Sequence, residues 1–259
     1  MRRLSLVLVI CIVGAVSLWS NMLPFSSFSP YIGEENQWCV RFETKAVRFF
    51  PFLWLSEAVF LYSPTPEASV DIAVPVWYWQ GMDVVFGDIT VDFRGVIFRD
   101  DFFHWRALLL GGIRLPTGIS PMAGMRRVEG KEVSYYPYST ASLGWRGGLM
   151  VSYMGWPVWI HGAMVYVSEY GSEENLLDMH VDDDMVMIQT MGDYLFRFSS
   201  WRFLVSGGAL FWVSWGKSPW GNGIRLWQKS TFFFGQWRVG YEVIFGQEPV
   251  VGFLVQYNF

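Results

Sequence analysis

The feature that most constrains this chain is an alternation of apolar and polar residues with a period of two, kept over long stretches. Between 140 and 153, one parity carries Ala141, Leu143, Trp145, Gly147, Leu149, Val151 and Tyr153, and the other carries Thr140, Ser142, Gly144, Arg146, Gly148, Met150 and Ser152. Successive side chains of a β-strand point to opposite faces. The pattern therefore predicts strands with one face suited to lipid and the other suited to water or a polar lumen.

The same alternation recurs at 67–79, 88–99, 184–198 and 236–245. In each stretch the apolar face is rich in Trp, Tyr, Phe, Val and Ile, whereas the polar face is only intermittently charged. A soluble antiparallel sheet would need a richly charged outer face. Aromatic residues at strand ends are typical of a bilayer interface. The sequence therefore predicts an all-β protein, a transmembrane antiparallel up-and-down β-barrel.

The alternation delimits about twelve strands, at 38–48, 52–62, 67–79, 86–99, 103–115, 139–153, 157–169, 184–198, 202–215, 222–229, 231–245 and 250–259. Short connections, as at 63–66 and 154–156, alternate with long ones, as at 117–137 and 171–183. Bacterial outer-membrane barrels have tight periplasmic turns and extended external loops. An even number of strands places both ends of the chain on the periplasmic side.

Composition supports a membrane protein and excludes several other classes. Of the 259 residues 16% are charged, against about 25% in a typical soluble domain. A net charge of −4 without a basic stripe argues against a nucleic-acid partner. The two cysteines exclude a disulfide scaffold, and the absence of CxxC and HExxH motifs leaves no zinc signature. We expect no metal and no cofactor.

The N-terminus has the layout of a secretory signal peptide. Met1 is followed by Arg2 and Arg3, then by an uncharged apolar run over 4–18, and then by small polar residues. The alternative is a membrane-anchoring helix, but the run is shorter than the ~20 residues that a span requires. We expect residues 1–20 to be removed by the secretion machinery and 21–259 to form the barrel, with Cys39 the one remaining cysteine.

The last strand carries the most specific signal. Its alternating aromatic and aliphatic face ends on the terminal residue, with Tyr257 and Phe259 as the final aromatics. This segment resembles the C-terminal signature of bacterial outer-membrane barrels. The resemblance implies that Tyr257 and Phe259 are an assembly signal recognised by the barrel-assembly machinery, and that the protein resides in the bacterial outer membrane. The alternative is an ordinary edge strand that happens to end in Phe.

Several segments resemble the phenol-degradation MetA-pathway family of outer-membrane proteins, which are similar in style to fatty-acid transport barrels. The segments are VPV at 74–76, FGDITVDFR at 86–94, LGGIRLPTG at 110–118 and WPVWIHGA at 156–163. Their order and spacing fit from about residue 67 to 259, although Arg114 stands where the family commonly has Lys. The resemblance implies a transporter of hydrophobic or aromatic compounds.

The alternation assigns a set of polar residues to the interior of the barrel. They are Asp71, Asp88, Asp92, Arg94, His104, Arg106, Arg114, Arg146, His161, Asp193, Arg197, Arg202, Arg238 and Glu242. Two interpretations stay open: they line a pore, or Arg–Asp pairs satisfy one another inside a narrow barrel. About twelve strands lie between the eight that side chains can fill and the sixteen that leave a water channel.

No enzyme is predicted, because the chain has no GxSxG nucleophile elbow and no local Ser–His constellation. We expect an outer-membrane channel for passive passage of small hydrophobic or aromatic solutes. The alternative is a structural or surface-interaction barrel whose lumen is closed by ion pairs. The expected partners are outer-membrane lipid, lipopolysaccharide, the secretion and assembly machineries and a small-molecule solute.

Overall fold

The protein folds into a closed barrel of twelve antiparallel β-strands, as a computed structural model shows. The structure describes residues 35–49, 52–79, 84–100, 102, 104–118, 124–128, 131–135, 143–170, 183–215, 222–245 and 250–259. These residues form strands and turns, and within them no helix is long and apolar enough to cross a membrane. The signal peptide predicted at 1–20 lies outside the described residues.

Fifteen strands are numbered in chain order. They are β1 (Gln37–Phe49), β2 (Phe52–Thr65), β3 (Ala68–Trp79), β4 (Val85–Phe86), β5 (Ile89–Arg99), β6 (Trp105–Leu115), β7 (Gly124–Val128), β8 (Lys131–Tyr135), β9 (Leu143–Gly155), β10 (Val158–Tyr170), β11 (Asp183–Arg197), β12 (Arg202–Trp215), β13 (Gly223–Phe234), β14 (Trp237–Phe245) and β15 (Val250–Asn258). The wall consists of all but β4, β7 and β8. Strand β4 is a two-residue strand that pairs with the end of β3, and β7 and β8 pair with each other as a separate hairpin.

Neighbours in the chain are neighbours in the wall, and two pairings make the ring continuous. Strand β1 pairs with β15, so that Cys39 lies opposite Asn258, and it pairs with β2 on its other side. Strand β2 then pairs with β3, and β3 pairs with β5, from which the other wall strands follow in chain order. In this ring every described wall strand pairs with a neighbour on each side. A β-structure needs such closure to span a bilayer, because no water is present there to satisfy the backbone.

The two rims of the barrel differ. One rim carries both ends of the wall together with the short turns after β2, β5, β9, β11 and β13. The backbone N–H of Phe259 donates to the Trp38 carbonyl at 2.8 Å on this rim. The other rim carries the long connections, including the one between β6 and β9 that contains the β7–β8 hairpin. The predicted number of wall strands is therefore confirmed. The long connections share the second rim as predicted, but only two residues separate β1 from β2 there.

One strand boundary was predicted wrongly. The sequence pattern predicts a strand boundary near residue 230, whereas β13 continues to Phe234 and the turn is made by Gly235 and Gln236. Gly235 has φ of 59°, the left-handed region in which a side chain would be strained. Ser230 and Thr231 interrupt the apolar pattern without ending the strand. The turn between β13 and β14 forms at Gly235 because glycine adopts a positive φ without strain.

The outward face of the wall is apolar. Outward side chains on the middle of the strands include Phe42, Ile72, Leu149 and Ile188, each more than 40% exposed. Aromatic side chains concentrate at the short-turn rim, where ring pairs include Trp38–Tyr62, Trp105–Tyr153, Phe198–Trp201, Phe203–Phe232 and Trp237–Tyr257. An exposed apolar band bordered by aromatic rings is the surface expected of a barrel in lipid.

Candidate functional site: the barrel interior

The inward face of the barrel consists of two parts. Strands β1, β2, β3 and β5, with β9, β13 and β14, direct charged side chains inward, and we call these the charged arc. Strands β6 and β9 to β12 direct a cluster of large apolar side chains inward, and we call these the apolar arc. Both follow from strand parity, because every second residue of each strand faces inward.

In the charged arc, Asp92 and Arg146 form an ion pair that crosses a strand. Asp92 lies on β5 and Arg146 on β9, and both are in register with Gly112 on the intervening strand β6. The Arg146 Nε donates to Asp92 Oδ1 at 2.7 Å, and Nη2 donates to Oδ2. A Cβ at position 112 would lie 2.0 Å from Asp92 Oδ1. The glycine therefore leaves the space in which the two side chains meet.

A second ion pair repeats this arrangement. Lys45 on β1 and Glu242 on β14 are both in register with Gly252 on β15, and Lys45 Nζ lies 3.1 Å from Glu242 Oε2. A Cβ at Gly252 would lie 2.9 Å from Lys45 Cγ. Lys45 Nζ also lies 3.4 Å from Glu43 Oε2, and Arg41 Nε lies 2.8 Å from Glu43 Oε1.

The two ion pairs belong to one network. Glu57 on β2 interacts electrostatically with Lys45 and with Arg146, Arg94 donates to Asp71, and Lys229 interacts with Glu43. The described members of the network include five basic and five acidic side chains: Arg41, Lys45, Arg94, Arg146, Lys229, Glu43, Glu57, Asp71, Asp92 and Glu242. Pairing of opposite charges offsets the cost of burying them.

The apolar arc is closely packed. Its members are Leu108, Leu110, Met150, Ala163, Val165, Val167, Met185, Met187, Leu210 and Trp212, and all are less than 8% exposed. Inward placement of Met185, Met187 and Met191 agrees with their parity in the sequence. Methionine side chains are flexible and polarisable, so they adapt to ligands of different shape.

His161 and Asp193 form a separate pair near the short-turn rim. They lie on adjacent strands β10 and β11, and His161 Nε2 is 3.3 Å from Asp193 Oδ2 with both side chains buried. Ser152 is in register with His161 on β9, but no hydrogen bond joins the two side chains among those described. A Ser–His nucleophile needs that hydrogen bond.

At the long-loop end of β13, Arg225 and Trp227 face inward two residues apart. The Arg225 guanidinium lies 5.6 Å from the ring centroid of Trp212 on β12. The Trp212 ring covers Gly223, where an added Cβ would lie 2.3 Å from ring atom Cζ2.

Of the remaining predicted interior residues, Asp88 is buried as predicted, whereas His104, Arg197 and Arg202 are exposed at the short-turn rim. Asp88 is buried before β5 and accepts a hydrogen bond from the Gly118 backbone at 3.0 Å, so it holds the start of a connection. His104 lies exposed in the turn before β6, with its ring 6.1 Å from that of Tyr153. Turn residues do not follow the parity of the strands beside them.

Arg197 and Arg202 are exposed at the short-turn rim, at opposite ends of the turn between β11 and β12. The Arg197 guanidinium lies 4.5 Å from the Trp156 ring centroid. Arg238 is half-buried close to the same rim, over the Phe233 ring at 5.2 Å. Arg106 and Arg114 lie on the inward side of β6, with Arg114 buried.

Sequence reasoning missed several interior charges: Arg41, Glu43, Lys45, Glu57, Arg225 and Lys229. A signal was present, because charges at 41, 43 and 45 keep a period of two. It is weakened by polar residues on the outward face of the same strands. Thr44 and Ser56 face outward opposite each other, with their hydroxyl oxygens 3.1 Å apart.

Comparison with known proteins identifies the fold. The chain is similar to the NanC porin, with a TM-score of 0.56 and 9% identity over 86% of this chain and 98% of that one. It is similar to the COG4313 outer membrane channel from Pseudomonas putida F1, with a TM-score of 0.53 and 11% identity over 91% of this chain and 100% of that one. The translocator domain of autotransporter NalP from Neisseria meningitidis has a TM-score of 0.53 and 9% identity over 89% of this chain and 90% of that one.

No family model matches the chain, and no curated protein matches it. The resemblance to the MetA-pathway family is therefore not confirmed. The fold is that of bacterial outer-membrane barrels, which confirms the predicted β-barrel and agrees with the predicted outer-membrane location.

Proposed function

We propose that this protein is an outer-membrane channel through which small solutes with an apolar or aromatic part pass passively. The observation that carries the proposal is the apolar arc, because large apolar side chains face the interior of a barrel whose opposite side is charged. A purely polar lumen would suit ions and sugars. An interior that is apolar on one side and charged on the other suits a solute that has an apolar part and a polar part.

The interior side chains also define how passage would occur. Leu108, Met150 and Met187 are at most 1% exposed, so the apolar arc is filled by its own side chains. A solute would enter by displacing them, and methionine permits this because it has three rotatable bonds and a soft sulfur that contacts aromatic rings favourably. Polar groups of the solute would exchange hydrogen bonds with the charged arc.

Two of the similar barrels are named as a porin and as an outer membrane channel. Their names support passage as a general role. The solute class rests on the interior of this chain alone. We also propose that Tyr257 and Phe259 are recognised during assembly, and that lipid and lipopolysaccharide surround the apolar wall.

Swelling of liposomes containing the refolded protein tests the channel. The neutral probe is phenyl glucoside, and the comparison is methyl glucoside, which has the same sugar without the aromatic ring. We expect phenyl glucoside to enter at least as fast as the smaller methyl glucoside, because its ring gains contacts with the apolar arc. Met187→Gln, which places an amide in that arc, should slow phenyl glucoside more than methyl glucoside.

The second candidate is a structural barrel with a closed lumen. The observation in its favour is the charge network, in which two ion pairs each join wall strands across the strand between them. The same liposomes separate the two functions. Absence of swelling with either glucoside, together with absence of conductance in planar bilayers, would establish the closed barrel and end the channel proposal.

A further inference from the structure

Arg225 is an inward basic side chain that stands outside the charge network. Its only described polar or ring contact is with the face of Trp212, and its Nε–H is buried without an acceptor. No acidic side chain pairs with it in the part of the chain that the structure describes. A buried guanidinium without a counter-charge is costly, and its retention needs a reason.

A second unused donor lies beside it. Trp227 is 5% exposed, faces inward on the same strand, and its indole Nε1–H is buried without an acceptor. Residues i and i+2 of a strand lie about 7 Å apart along one face. The two groups are donors only, since neither guanidinium nor indole nitrogen accepts hydrogen bonds. Their complement is a group with acceptors only and a negative charge.

The side chains around Arg225 indicate what the uncharged part of the ligand would be. Leu210 on β12 is in register with Arg225, and Trp212 lies over Gly223 two pairs further along, on the same face. Leu210 and Trp212 are members of the apolar arc. A ligand whose anionic group reaches Arg225 would therefore have its body against aromatic and aliphatic side chains.

We propose that Arg225, Trp227 and Trp212 form a binding site for the carboxylate of a small aromatic acid. The carboxylate accepts from the Arg225 guanidinium and from Trp227 Nε1–H, and the aromatic ring packs against Trp212 and Leu210. The proposal rests on the proposed function, because a solute reaches this site from the lumen. It narrows the solute class from aromatic compounds in general to aromatic carboxylates.

Isothermal titration of the refolded protein in zwitterionic detergent micelles tests the site without requiring passage. The probes are benzoate and benzyl alcohol, which share the ring and differ in charge. We expect saturable binding of benzoate and at least tenfold weaker binding of benzyl alcohol, because a hydrogen-bonded charge is lost. Arg225→Met should weaken benzoate tenfold or more, and Trp227→Phe should weaken it about two- to tenfold.

Two controls separate a binding role from a structural one. Arg225→Lys keeps the charge but loses the planar fork, so it should retain part of the benzoate affinity that Arg225→Met loses. Arg202→Met removes an equal charge at the exposed rim and should leave benzoate affinity unchanged. Each variant is compared after its folded fraction is confirmed by gel mobility before and after heating.

Three results would overturn the site: no saturable benzoate binding by the parent protein, equal binding of benzoate and benzyl alcohol, or undiminished benzoate binding by folded Arg225→Met. None of these results depends on swelling or conductance. If benzoate binds through Arg225 but liposomes stay impermeable, the site stands and the channel proposal fails. If phenyl glucoside passes but benzoate does not bind, the channel stands and the site fails.

Discussion

The ion pair that crosses Gly112 makes a sharp prediction, since a single methyl group should break it. In Gly112→Ala the new Cβ would lie 2.0 Å from Asp92 Oδ1 and 2.9 Å from Arg146 Nε. A carbon and a carboxylate oxygen cannot approach so closely, so the carboxylate must move by more than 1 Å. That movement removes the 2.7 Å hydrogen bond from Arg146 Nε.

The expected cost follows from the partial burial of the pair, since the Arg146 side chain is 14% and the Asp92 side chain 24% exposed, so a fully buried pair gives its upper bound. Removing one member of a buried ion pair costs about 3–5 kcal/mol. In Gly112→Ala both charges remain and reach other members of the network, so we expect a loss of about 2–4 kcal/mol in the free energy of unfolding. The matched control is Gly162→Ala on the outward face of β10, where a Cβ would meet no atom within 4 Å. Alanine is favoured over glycine by about 0.5–1 kcal/mol in a strand interior, so this variant should gain slightly.

Guanidinium unfolding of the refolded protein, followed by tryptophan fluorescence, gives the comparison. A double-mutant test completes it: in an Asp92→Ala, Arg146→Ala background, Gly112→Ala should lose most of its penalty because the atoms it displaces are gone. If Gly112→Ala and Gly162→Ala agree within about 0.5 kcal/mol in the parent protein, the crossing of the ion pair over the glycine is refuted.

Two further predictions test the network and the chain end. Lys45→Met removes the ammonium that bridges Glu43 and Glu242, and it should lower the free energy of unfolding by about 3–5 kcal/mol. Adding Glu242→Gln to the same chain should restore part of that stability. A loss below about 1 kcal/mol for Lys45→Met in the same unfolding measurement would contradict the bridge. Phe259→Ala keeps the backbone bond to Trp38 and removes an exposed ring, so refolded stability should change by less than about 0.5 kcal/mol. If Phe259 is an assembly signal, the amount of heat-modifiable barrel in outer-membrane preparations should nevertheless fall, and an unchanged amount would rule that role out.

The charged and apolar arcs have different consequences for the proposed channel. In the charged arc, the Asp92–Arg146 and Lys45–Glu242 ion pairs each join two wall strands across the strand between them, so they strengthen the wall. In the apolar arc, the side chains meet only through non-directional packing, which rearranges at lower cost than a buried ion pair. Passage, where it occurs, is therefore expected beside the apolar arc.

Much of the interior followed from parity. The alternation correctly placed four charged residues on the inward face, because the residues that flank them are mostly apolar and point outward to lipid. These four are Asp71, Asp92, Arg94 and Glu242. Parity failed for His104, because a turn has no fixed alternation. It also failed to find Lys45, because Thr44 beside it faces outward and weakens the contrast between the two faces.

The sequence by itself determined the architecture, namely twelve wall strands, an apolar outer face, and short turns at the rim where the last strand ends. This is possible because the alternation of side chains is local and is written in consecutive residues. Only the tertiary structure decided which inward residues meet. Asp92 and Arg146 come together because three strands are aligned in one register, and Lys45 reaches Glu242 because β1 and β15 close the ring. Register and closure join residues far apart in the chain, so a local pattern does not contain them. The same pairing leaves Arg225 without an acidic partner among the residues that the structure describes.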